Sequence, residues 1–121
     1  MILKDFLQNL ILGHPNSVNL VAASCRDDLK LIRELVINEM KIICKKDEIN
    51  CFSVSEDRII INENKLTKIT ILFKVINKQD SVKGMCGIWS ILEFNLSIPS
   101  TELLRSVIRD VDCKIFTMEK E

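Results

Sequence analysis

Met85–Ser97 reads MCGIWSILEFNLS and holds the only tryptophan of the chain, Trp89. Gly84 and Gly87 mark its start, and Pro99 follows its end. Apolar residues at Ile88, Trp89, Ile91, Leu92 and Phe94 do not alternate with polar ones. A short apolar run between chain breakers predicts a strand covered on both faces. Glu93 stands near the C-terminal end of that run. A carboxylate there either reaches the sheet rim and solvent or serves chemistry. The two glycines are too sparse for a phosphate loop and predict a turn or a close approach of backbones.

Working outward, Lys68–Ile76 (KITILFKVI) is dense in β-branched residues and predicts a second strong strand. Two shorter extended pieces precede it, Ile49–Val54 and Arg58–Asn62, joined by short polar turns that suit hairpins. Residues 77–83 (NKQDSVK) form a polar loop. Further back, residues 2–12 place apolar side chains at 3, 6, 7, 10 and 11, the spacing of a helix. Gly13 and Pro15 end it. Val18–Ala23 (VNLVAA) predicts a buried strand. Ser24 with Asp27 fits a capping box that opens a long helix over 27–44. Leu29, Ile32, Val36, Met40 and Ile43 form its stripe, and Leu31, Leu35 and Ile42 widen it, so heavy burial against a sheet is expected. Lys41, Lys45 and Lys46 complement the end of its dipole. After the tryptophan strand, Ser100 or Thr101 caps a helix presenting Leu103, Leu104, Val107, Ile108 and Val111. Residues 113–118 (CKIFTM) form a last strand.

Strand–helix–strand alternation at both ends predicts an α/β fold. It is a single layered domain over 1–121, with a partly parallel sheet flanked by helices and an antiparallel hairpin insertion. The alternative is an α+β fold with one antiparallel sheet.

The totals exclude several classes. The 121 residues are 47% apolar and 28% charged, with 17 basic and 17 acidic residues and a formal net charge of zero. That composition is globular and carries no overall electrostatic footprint for nucleic acid, which could bind only through a local patch. No window approaches the roughly 18 apolar residues of a membrane span. The first residues, with Asp5 and no basic leader, read as a native element and not a signal peptide. Five cysteines, Cys25, Cys44, Cys51, Cys86 and Cys113, are odd in number and contain no CxxC pair. Reduced, mostly buried thiols in a cytoplasmic protein are expected, with no metal site and no cofactor. His14, the single histidine, lies between Gly13 and Pro15 in a predicted loop, where a structural or surface role is expected. The pairs Asp27–Asp28 and Asp110–Asp112 fall at helix ends, where solvated acids are common.

The element order resembles the ATPase domain of phage large terminase subunits and, more loosely, related helicases. VNLVAASCRDD is similar to the strand and helix start that follow the phosphate-loop helix in that family. DRIIINENKLTKITILF is similar to its hairpin, KQDSVKG to its polar loop and CKIFTM to a later strand. IWSILEF resembles the Walker B strand, which places Glu93 at the position of the water-activating glutamate. Two departures bear on activity. No GxxxxGK[ST] loop occurs, and the chain begins where the helix after that loop begins. Leu92 stands where the family has an acid that helps hold Mg²⁺. The resemblance therefore implies a degenerate half-domain that neither binds nor hydrolyses ATP. The expected function is non-catalytic, with another protein as partner. Trp89, Asp110 and Asp112 are the candidate partner-binding residues. The alternative is a small immunity, antidote or anti-defence protein of phage or bacterial type that covers the active site of an enzyme.

Overall fold

A computed structural model describes residues 2–12, 16–46, 52–64, 67–76, 88–96 and 114–119. The elements are helix α1 (Ile2–Leu12), strand β1 (Val18–Ala23), helix α2 (Arg26–Lys46), strands β2 (Phe52–Val54), β3 (Arg58–Asn64), β4 (Thr67–Val75), β5 (Ile88–Phe94) and β6 (Lys114–Met118). Among the described residues, one sheet contains six strands in the order β2-β3-β4-β1-β5-β6. Strand β1 pairs in parallel with β4 and with β5, and β5 pairs in parallel with β6. Strand β3 runs antiparallel to β2 and β4. The sheet is thus a parallel core with an antiparallel arm, as α/β alternation predicts, and not a single antiparallel sheet. The helix expected between 101 and 112 lies outside the described residues.

Apolar periodicity explains the layers. In α1, Leu3, Phe6, Leu7 and Leu10 are buried, one stripe along the helix. In α2 the buried stripe is Ile32, Val36, Met40 and Ile43. It is narrower than expected, because Leu35 is 36% exposed and Ile42 59% exposed. Both stripes join Val21, Ala23, Ile71, Phe73, Leu92 and Phe94 in one core cluster, so both helices cover the same face of the sheet. Phe6 meets Phe116 edge to face, with centroids 5.6 Å apart, which ties α1 to β6. Leu20, Ala22, Ile76, Ile88 and Ile91 form a second cluster. Because side chains alternate along a strand, these residues belong to the opposite face.

The missing alternation in β5 has a local cause. Its register on β1 runs Val18↔Ile88 and then Asn19↔Ser90, leaving Trp89 as an extra, half-buried residue. The bulge lets Ile88 share a face with Ile91 while Ser90, Leu92 and Phe94 occupy the other. Trp89 is therefore bulged and partly exposed, where full burial in a regular strand would be the simpler reading.

A polar cluster sits beside that bulge. Ser90 Oγ donates to Asn19 Oδ1 at 2.6 Å, and both residues are fully buried. Asn19 Nδ2 donates to Ser17 Oγ at 3.0 Å and to the Thr70 carbonyl at 3.3 Å. One side chain thereby links β1 to both of its neighbours. Nearby, Asn16, with φ of 65°, accepts the Lys68 N–H on its Oδ1 at 3.0 Å and opens the β1–β4 pairing.

Ser90→Ala leaves the buried Asn19 Oδ1 without this donor, which costs about 1–3 kcal/mol. Urea unfolding should show that loss with an unchanged slope, whereas the exposed Ser53→Ala should stay within about 0.5 kcal/mol of the parent. An unaltered midpoint for Ser90→Ala would contradict the role of this cluster.

Candidate functional site

Ligands of open parallel sheets bind where neighbouring strands send their outgoing chains in opposite directions. Here those strands are β1 and β5. The chain leaving β1 leads through α2 to β4 on one side, and the chain leaving β5 leads to β6 on the other. This switch point lies at the strand ends Ala22–Ala23 and Glu93–Phe94, next to the first turn of α2.

Glu93 is at this rim. It lies opposite Ala22 on β1 and Thr117 on β6, and it is 7% exposed. Alternation puts it on the sheet face opposite the described helices, in the row Lys74, Ala22, Glu93, Thr117. Leu92 takes the other face, fully buried in the cluster under α1 and α2. Its surroundings are hydrocarbon, so this position offers no ligand to a cation. Asp27 and Asp28 stand in the first turn of α2, which covers the Leu92 face. Glu93 is therefore directed to the sheet face opposite the one that the helix of the two aspartates covers. Among the described residues no group of three or more His, Cys, Asp or Glu is placed to hold a metal ion.

The helical side of the rim is held by Asn95. Its φ of 51° turns the chain away from β5 in the left-handed region that Asn tolerates better than most residues. Its backbone N–H donates to the Met118 carbonyl at 2.9 Å, and its Nδ2 donates to Asp28 Oδ2 at 3.2 Å. Ser24 Oγ donates to the Asn95 carbonyl at 3.5 Å. The first helical bond of α2 runs from the Leu29 N–H to the Cys25 carbonyl, so the helix opens one residue later than a Ser24 cap would place it. Nothing in the local sequence announced Asn95 as the residue that closes the rim. The one signal was an Asn directly after an apolar strand, a common site for a left-handed residue.

The other candidates divide as follows. Trp89 is half-buried in the bulge, at the opposite end of β5 from Glu93. Asp110, Asp112, His14, Gly84 and Gly87 lie outside the described residues. Of the cysteines, Cys25 is exposed and Cys44 half-buried, and neither forms a disulfide among the described residues. Full burial is not the rule for these two, because Cys25 falls in the turn before α2. Cys51, Cys86 and Cys113 lie outside the described residues. Lys41 is exposed, and no helix among the described residues is long and apolar enough to cross a membrane.

No family model matches the chain, and no curated protein matches its sequence. Its fold is similar to that of a large terminase from a thermophilic bacteriophage. One crystal form of that enzyme, in complex with ADP, aligns with a TM-score of 0.66 at 11% identity, covering 97% of this chain and 29% of that one. A second crystal form gives a TM-score of 0.65 at 12% identity over the same shares. This chain thus spans less than a third of the terminase, and the likeness is one of fold.

Asn95→Ala should destabilise more than Asn95→Gly. Both lose the Asp28 hydrogen bond, but only alanine adds about 1–2 kcal/mol for the left-handed backbone. Thermal or urea unfolding of the pair checks this. Equal stabilities would show that the turn at residue 95 is not fixed as described.

Proposed function

We propose that this chain is a non-catalytic interaction protein built on the fold of a terminase- or helicase-type ATPase half-domain, with another protein as its partner. The observation that carries the reading is the pairing of fold and chemistry at β5. The fold aligns with a terminase over 97% of the chain. Yet the residue before Glu93 is a leucine buried in the apolar core. A phosphoryl-transfer site works by positioning and charge stabilisation, with cations bridging the phosphates and a nest of backbone N–H groups around them. A single carboxylate at the rim, with a core leucine beside it, gives a bridging cation no pair of ligands on β5. A protein of this kind keeps the layered sheet as a rigid platform and presents its surface to a partner.

Glu93 then has a structural role, and its replacement tests the reading. Mg-ATP hydrolysis should run at the same background rate for the parent and for Glu93→Gln, each checked for cooperative unfolding. A water-activating carboxylate contributes about 10²- to 10⁴-fold. A measurable rate in the parent that falls by that much in Glu93→Gln would overturn the non-catalytic assignment.

A further inference from the structure

Helix α2 carries Arg26, Lys30 and Arg33 at spacings of four and three, so all three project from one side of the helix. They form one wall of a cleft of about 790 Å³. The opposite wall is the β2–β3 turn, and Leu29 and Phe73 supply apolar lining between them. The volume falls within the roughly 300–1,000 Å³ typical of small-molecule sites.

The helix dipole does not account for the cation at Arg26. Arg26 occupies the first turn of α2, where the helix dipole disfavours a cation. Arg26 and Lys30 are like charges one turn apart, which is also unfavourable. Neither has an ion-pair partner among the described residues. Arg33 donates from Nη2 to the Ser55 carbonyl at 2.9 Å, bridging the cleft, while its buried Nε has no hydrogen-bond partner among the described residues. Two acids face these cations across the cleft, Glu56 and Asp57. Asp57 is already engaged: Arg58 Nε lies 3.3 Å from its Oδ1. That hydrogen bond, with the Arg58 charge, holds the Asp57 carboxyl below its ordinary range. Among the described residues, three cations thus face one carboxylate that has no ion-pair partner, Glu56.

We propose that this cleft binds a small organic polyanion, its phosphate or carboxylate groups against Arg26, Lys30 and Arg33 and its apolar part on Leu29 and Phe73. Guanidinium groups match the geometry of both oxyanions. The cleft lies on the α2 side of the sheet, away from the Glu93 face, so the site is independent of the non-catalytic reading.

Nuclear magnetic resonance of the full ¹⁵N-labelled chain tests it. Pyrophosphate and citrate are titrated separately at constant ionic strength, and the tighter of the two identifies the anion class. Saturable shifts are expected at residues 26–33 and 54–57. Replacing two cations of the cleft together, Arg26→Gln with Lys30→Gln, should weaken binding by about tenfold or more. The exposed Lys41→Gln, outside the cleft, should leave it unchanged. No saturable shift with either anion, or equal binding by the double variant, overturns the proposal.

Discussion

Strand β1 has to satisfy two parallel neighbours and two covered faces at once. Five of its six residues are buried, and its backbone is paired on both edges. Such a strand leaves no polar group to water, so every donor and acceptor must find a partner inside the protein. The chain answers with small and apolar residues, LVAA, and one exception. Asn19 is buried, and its amide is spent on Ser17, Thr70 and Ser90. The carboxamide thereby joins β4, β1 and β5. Helices α1 and α2 pack on the face that includes Val21 and Ala23, and the outer strands extend from β4 and β5.

From this arrangement follows the chemistry of the rim. The pleat that sends Leu92 into the helical core sends Glu93 to the other face. Two successive residues of a strand cannot serve one site from the same side. Asn95 then turns the chain and engages the first turn of α2, so the helical side of the β1–β5 rim is held by the protein's own hydrogen bonds. Phage terminase shares this fold, and the likeness concerns how the layers are stacked. The basic cleft is built differently. It sits between α2 and the antiparallel arm, and its first cation, Arg26, stands in the helix turn where the dipole disfavours one.

Much of the layering was legible because it depends on short-range periodicity. The stripe Leu3, Phe6, Leu7 and Leu10 defines α1, and the β-branched run before Ile76 defines β4. Parallel pairing was readable from strand–helix–strand order, since a parallel neighbour needs a long crossover. The bulge at Trp89 was visible only as broken alternation, which has two explanations, a covered strand and a shifted register. Both apply. The polar contacts were not legible. Asn19 and Ser90 are 71 positions apart, and Asn95 and Asp28 are 67 apart. No local pattern connects such pairs. The expected breadth of the α2 stripe failed for a related reason: Leu35 and Ile42 have helical spacing, but only the Ile32, Val36, Met40 and Ile43 side of the helix rests on the sheet. Arg26, Lys30 and Arg33 do carry a helical signature, yet only the fold supplies the opposing wall.

Native-state amide hydrogen exchange tests the central place of β1 most directly. Amides in a strand covered on both faces and paired on both edges open only with global unfolding. The N–H groups of Leu20 to Ala23 should therefore exchange slowest, with a free energy equal to that of global unfolding and the same sensitivity to denaturant. Those of Phe52 to Val54, in the short edge strand β2, should exchange through local opening at much lower free energy. Fast, denaturant-insensitive exchange in β1 would contradict the account, because a strand that opens alone cannot be the one that holds the sheet together.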